Sequence, residues 1–310
     1  SRQDSATATD SVTRAARIKS RRDSLVAAGV PVDSVERMLR RTPDAGALAA
    51  GGEEEGGPIR TPPPPRVANK AGINTFNWNM RYPDASTFDG LIMWAAGTQG
   101  PMSPPGTYHV RMIVDGRPVG TETFVLKKDP RTSATQAELD AQFAFLLHVR
   151  DRTTEANDAV KTIRSVRRQL ADREKKLSAA GLATFKPLAD ALRTELAVVE
   201  DSIYQTRNRS GQDPLNYPIR LNNKIAALAG VAGGAEAAPT KQTTDVFKVL
   251  SMQLDTQLSN MRKALESKLP AINSTLRSEK LPEIVPRPAD VPPPVTVSMT
   301  QPVSTAIPIV

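Results

Sequence analysis

The chain has 310 residues, 41 lysines and arginines against 33 aspartates and glutamates, a net charge of +8 and no cysteine. The length suits about two domains and a sizeable core, and the missing cysteines exclude a disulfide framework and thiol chemistry. No run of apolar residues is long enough to span a bilayer, and the basic residues alternate with acids along the expected helices, as in Asp172-Arg173-Glu174-Lys175. That interleaving marks solvated helix faces and not a phosphate track, so nucleic-acid binding is not expected.

The N-terminal residues 1–10 are small and polar, a composition that does not bury enough to order itself. From Ser11 to Ala28 a thin apolar pattern and the basic run Arg17–Arg22 predict a short helix, ended by Gly29 and Pro31, and a second short helix runs from Asp33 or Ser34 to Arg41. Residues 43–66 read as a linker, with Gly51-Gly-Glu-Glu-Glu-Gly-Gly57 unable to bury anything and Pro62–Pro65 extended.

The segment Gly72–Arg131 holds both tryptophans, Trp78 and Trp94, and seven of the chain's rings in all. Rings give the most apolar burial per residue, so this segment is expected to form a compact β core. Tyr108, Val110, Met112 and Val114 alternate with His109, Arg111 and Ile113, the period of a half-buried strand. Asp115-Gly116 then supplies the pair that a type I′ hairpin turn needs, and Thr121–Lys127 returns as the partner strand.

After Asp129-Pro130-Arg131 the period changes to about 3.6. Thr135 and Glu138 form a capping box sequence, and an apolar stripe from Leu139 through Val149, Val160 and Leu170 to Leu177 predicts a long helix closed by Gly181. A second helix is expected from Thr184 to Asn208 with Pro187 in its first turn, a third from Ile219 to Leu228, and a fourth from about Thr240 through Leu269. Four such stripes predict an antiparallel helical bundle. The tail, residues 281–310, is proline-rich, and its β-branched pieces Val295–Thr300 and Ile307–Val310 suit addition to a sheet edge.

Three stretches, Gly72-Ile-Asn-Thr-Phe-Asn-Trp-Asn-Met-Arg-Tyr-Pro-Asp84, Pro104-Pro-Gly-Thr-Tyr-His-Val110 and Lys128-Asp-Pro-Arg131, together with the long helix, resemble the C-terminal region of bacterial exported sortilin-like, or glycosyl-hydrolase-like, β-propeller proteins. The resemblance covers about residues 57–280. The spacing of the first two stretches is also similar to the immunoglobulin-like fold of flagellar hook-capping proteins. What the resemblance implies is an extracytoplasmic setting and a role in binding or assembly. Relatives carry a strand pair ahead of the first stretch, whereas here that place holds a charged helix and linker. An incomplete sheet, completed by an upstream fragment, another subunit or the chain's own tail, follows as an expectation.

The fold class expected from these readings is α+β and multidomain: a small immunoglobulin-like β-sandwich, then an antiparallel α-helical bundle, with flexible N-terminal and C-terminal segments. The expected domains are 1–56 for the short helices and linker, 57–131 for the sandwich, 132–280 for the bundle and 281–310 for the tail.

The search for chemistry is negative. His109 and His148 fall on a strand and a helix without cysteines or spaced carboxylates nearby, so no metal site is expected. Asp84 and Asp89 flank a turn and read as turn formers in preference to a glycosidase pair. Trp78, Tyr82 and Trp94 read as core in preference to a sugar-stacking platform. The acidic Gly51–Gly57 stretch would repel phosphate. The residues predict a non-enzymatic structural or interaction module, without catalytic residues or cofactor, and the resemblance implies that it docks its own upstream propeller or assembles with copies of itself or other subunits at the cell envelope. The alternative is the accessory part of a propeller hydrolase whose chemistry lies outside this chain.

Overall fold

The computed structural model describes residues 59, 67 and 71–288. The chain divides into two units, Ser1–Glu55 and Gly56–Val310, and every described residue belongs to the second. The two short N-terminal helices, most of the linker and the β-branched pieces of the tail lie outside the described residues.

The architecture is mostly helical. A hairpin of β1 (Gly106–Val114) and β2 (Arg117–Leu126) is followed by α1 (Gln136–Glu174), α2 (Ala179–Ile203), a 3-10 turn at Asp213–Leu215, α3 (Leu221–Ala232) and α4 (Lys241–Ser278). The immunoglobulin-like sandwich expected for residues 57–131 is not formed: the sheet is two-stranded, and one isolated bridge, Arg81 with Met102, is the other pairing among the described residues. The physical reason lies in the ring-rich segment itself. Pro83, Pro101, Pro104 and Pro105 have no N–H to give to a ladder, and two of its rings, Tyr82 and Phe88, pack away from the sheet against Phe143 and Tyr204.

Residues 80–103 form an irregular loop that doubles back on itself. Ser103 N–H donates to the Met80 carbonyl at 2.7 Å, Tyr82 to Pro101 at 3.0 Å and Ala85 to Thr98 at 2.7 Å. The Gly100 amide donates to Asp84 Oδ1 at 2.8 Å. At Gly100 a side chain is excluded, since a Cβ there would lie 2.0 Å from the Tyr82 carbonyl oxygen. The tip of the loop inserts Phe88 and Leu91 into the helical core, where Phe88 meets Tyr204 edge-on at 5.0 Å.

Helix α1 starts as its sequence specifies: Thr135 accepts from Glu138 N–H at 3.2 Å, and Glu138 Oε2 accepts from Thr135 N–H at 2.8 Å. Its end differs from the expectation. Ser178 caps a new helix by accepting from Gly181 N–H at 3.1 Å, so Gly181 lies in the first turn of α2 and closes nothing. Pro187 therefore falls in the interior of α2, as Pro270 does in α4. A Cβ on Gly181 would meet Glu279 Oε1 at 2.4 Å, the same carboxylate that accepts from Ser178 Oγ at 2.6 Å. The end of α4 thus completes the cap of α2.

The bundle is not simply antiparallel. Phe145 meets Phe247 at 5.3 Å and Arg152 pairs with Asp255 at 2.6 Å, so α1 and α4 run in the same direction. Helices α2 and α3 run against them: Glu200 pairs with Arg164, and Asn222 with Asn157. Together α2 and α3 act as one descending rod broken at Tyr204–Arg220, where Pro214 and Pro218 forbid helix continuation. The core between the rods is built from Val160, Ile163, Leu170, Phe185, Leu192, Leu196, Ile225, Leu254, Ile272 and Leu276. The chain then turns back, and Ile284 is buried while its N–H donates to Asn273 Oδ1 at 2.8 Å. No helix among the described residues is long and apolar enough to cross a membrane.

Candidate functional site

The hairpin carries apolar groups that no other described element covers, although α4 also exposes Val246, Val249 and Met252. Asp115 and Gly116 adopt φ of 50° and 76°, the left-handed pair of a type I′ turn, whose twist matches that of the strands. Tyr108 lies opposite Phe124, Val110 opposite Glu122 and Met112 opposite Gly120. The pairing then slips between Met112 and Ile113, which leaves Val119 as an extra, bulged residue on β2.

Alternation divides the hairpin into two faces. One carries Tyr108, Val110, Met112 and Val114 on β1 and Phe124, Glu122 and Gly120 on β2, so it is apolar apart from Glu122. The other carries Thr107, His109 and Arg111 against Val125, Thr123 and Thr121. On the apolar face Tyr108 is 5% exposed, but Val110, Met112 and Val114 are 44%, 61% and 43% exposed. A soluble surface rarely leaves apolar side chains clustered in this way without use.

The buried end of that face is an aromatic root. Trp78 packs on Tyr108 at 5.5 Å and on Phe124 at 6.0 Å, and Tyr108 stacks with Phe124 at 5.8 Å. Tyr108 Oη donates to the Pro104 carbonyl at 2.6 Å. Burial raises the phenol pKa of Tyr108 above its ordinary value, and burial also raises that of the neighbouring Tyr82. Tyr82 packs edge-on against Phe143 of α1 at 4.7 Å, and Gln136 Nε2 donates to the Pro105 carbonyl at 2.9 Å. The hairpin therefore stands on the first turns of α1, held by rings and a few polar contacts.

A second fixture holds the loop that precedes it. Asn157 Nδ2 donates to the Ser86 carbonyl at 2.6 Å, Asn222 Nδ2 donates to Asn157 Oδ1 at 3.1 Å, and Asn223 brackets Trp94 by accepting from its N–H at 2.7 Å and donating to its carbonyl at 2.9 Å. These three asparagines are buried, and each satisfies backbone groups that no ladder reaches. Buried Glu200 is bonded by Arg164 at 2.7 Å and Arg167 at 2.8 Å, and Arg164 also lies 4.7 Å from the Phe88 ring.

The residues weighed for chemistry are separated. Trp78 is in the root, Tyr82 faces α1, and Trp94 sits by α3, so the three rings do not form one platform. Asp84 ties the loop to Gly100, and the Asp89 carbonyl accepts from Arg164 at 3.3 Å. His109 Nδ1 bonds Thr123 Oγ1 across the strands at 2.9 Å, while His148 is exposed on α1. Among the described residues no group of three or more His, Cys, Asp or Glu is placed to hold a metal ion. An open groove of about 400 Å³ runs between α1 and α4, lined by Glu155, Asp158, Leu258, Met261, Arg262 and Pro286. Two of its charges are already engaged, Glu155 with Arg152 at 2.6 Å and Asp158 with Lys161 at 3.5 Å.

Reasoning from sequence missed the asparagine clamp and the arginine pair on Glu200. The one signal available was the run of polar residues, Asn157 and Thr153 among them, inside an otherwise apolar helical stripe. Comparison of the chain with protein-family models, curated proteins and solved structures finds no match.

Proposed function

We propose that the chain is a non-enzymatic interaction module of an exported bacterial protein, in which a rigid helical bundle presents a β-hairpin to a propeller domain or to another subunit at the cell envelope. The observation that supports this reading is the hairpin itself: a rooted, two-stranded sheet with Val110, Met112 and Val114 open to solvent. An isolated two-stranded hairpin is marginal in water, and it becomes stable when a face or an edge is covered. The bundle supplies what a loop lacks, a fixed base that lowers the ordering cost of binding. The extracytoplasmic setting is supported by the likeness of Gly72–Asp84, Pro104–Val110 and Lys128–Arg131 to exported propeller proteins.

The test is the mass of the native particle from an envelope fraction, with identification of any copurifying chain. A protein partner lost on Val110→Ser/Met112→Ser substitution is the expected result. A strictly monomeric particle in every fraction would refute the interaction reading. Turnover of glycans or peptides by the purified chain would refute the non-enzymatic one.

A further inference from the structure

Resting on the interaction reading above, we infer that the outer edge of β1 pairs with a β-strand contributed by a partner polypeptide, one that places acidic or hydroxyl side chains opposite His109 and Arg111. Three features of the hairpin lead there.

The first is which edge is open. A two-residue loop closes on Val114 and Arg117 as a hydrogen-bonded pair, so along β1 the backbone groups of Val114, Met112, Val110 and Tyr108 face β2. Those of Thr107, His109, Arg111 and Ile113 face away. Among the described residues none of these four makes a backbone hydrogen bond outside the hairpin. The edge of β2 is blunted near its tip by Pro118, which has no N–H, and by the bulged Val119. Proline and bulges are devices that close an edge, and β1 carries neither.

The second concerns a copy of this chain. Antiparallel pairing of β1 with itself about a two-fold axis through its outward residues sets Arg111 against Arg111, Arg111 against His109, or His109 against His109. The first register sets two arginines face to face, and none of the three gives Arg111 an acid, so self-pairing lacks the complement that an acidic strand supplies. Packing of two apolar faces does not replace it. Nine residues of about 3.3 Å on two strands give a face of roughly 300 Å² per copy, about 600 Å² in total, against the 1,200 Å² or more of a stable interface.

The third is side-chain pattern. Residues directly opposite share a face, so a strand on this edge meets Thr107, His109 and Arg111 on one side and extends the row of Val110, Met112 and Val114 on the other. The complement is an alternation of apolar residues with acids or hydroxyls. Arg111, with His109 beside it, thus favours such a strand over a second β1.

The test uses the full chain and a capped peptide, Thr-Val-Glu-Val-Glu-Val-Thr, whose palindromic pattern fits either strand direction. The control peptide has lysine in place of each glutamate. Amide exchange is read by NMR. At a peptide concentration ten times the dissociation constant, exchange at Thr107, His109, Arg111 and Ile113 slows about tenfold, while Thr121, Thr123 and Val125 are unchanged. The lysine peptide gives no slowing, and Arg111→Glu reverses the preference between the two. Arg111→Pro, which removes an outward N–H and spares the inner ladder, abolishes binding.

Slowing along β2, or equal slowing by both peptides, overturns the inference. So does slowing that grows with chain concentration in the absence of peptide, which identifies a second copy. Without peptide, faster exchange along β1 in a chain ended after Pro288 identifies the chain's own C-terminal segment and also overturns it. If the peptide perturbs Val110, Met112 and Val114 side chains and leaves the β1 amides untouched, the interaction reading stands and the strand pairing falls.

Discussion

Replacement of Leu91 by alanine tests whether the loop before the hairpin belongs to the helical core. Leu91 is completely buried, at the tip of a loop whose neighbouring carbonyl, that of Gly90, accepts from Tyr204 Oη at 2.8 Å. A Leu→Ala change at such a site removes the transfer energy of the lost atoms and leaves a cavity, which together cost about 3–4 kcal/mol. For a cooperative unit of this size each kcal/mol lowers Tm by about 2–4 °C, so a fall of about 6–15 °C is expected. The measurement is a pair of thermal melts, far-UV circular dichroism for the helices and tryptophan fluorescence for Trp78 and Trp94. Both curves should shift together. A helical transition unchanged within about 1 °C, with fluorescence alone affected, would mean that loop and bundle unfold separately, and the account of a single core would be wrong.

Other outcomes follow from particular contacts. Gly116→Ala forces a Cβ into a left-handed residue with φ of 76°, at a cost of about 1 kcal/mol; hairpin amides should exchange faster by several-fold while the helical Tm holds. Gly181→Ala should push the Glu279 carboxylate off Ser178, because a Cβ there collides with Glu279 Oε1, and that lost bond should offset the helix preference of alanine. In a Glu279→Ala background the same change should stabilise by up to about 1 kcal/mol, the ordinary helix preference for alanine, as chemical denaturation would report. Glu200→Ala strips Arg164 and Arg167 of their shared partner; because both arginines remain partly hydrated, a loss of about 2–3 kcal/mol is expected, below the full penalty of a buried orphan charge. Acid should weaken the bundle. Hydrogen bonds from Arg193 and Lys186 hold the Glu174 carboxyl below its ordinary range, and hydrogen bonds from Lys186 and Arg193 do the same for Asp190. A depressed carboxylate contributes stability above its unfolded value and loses it as pH falls through the folded one. Glu174→Gln should therefore flatten the decline of stability below about pH 4.5.

The sequence by itself determined the elements whose signals are local. The Asp115-Gly116 turn, the alternation from Tyr108 to Val114, the Thr135–Glu138 box and the 3.6-residue stripes of α1 and α4 each depend on residues within a few positions of one another, and each formed the expected type of element; the strand, expected half-buried, buries Tyr108 alone, and α1 stops at Glu174. Only the tertiary structure decided where the rings went. Ring density alone places Phe88 and Tyr82 in a sandwich, yet they pack on Tyr204 at the end of α2 and on Phe143 of α1, because a proline-interrupted loop can satisfy its backbone through Asn157 and Asn223 more readily than through a ladder. The same holds for Gly181, whose role depends on Glu279 nearly a hundred residues on, and for the shared direction of α1 and α4, which follows because α2 and α3 descend together without reversing at the break between them. Composition places apolar surface inside, but the choice among partners of equal hydrophobicity belongs to long-range packing, and a lone chain does not encode that choice in any local pattern.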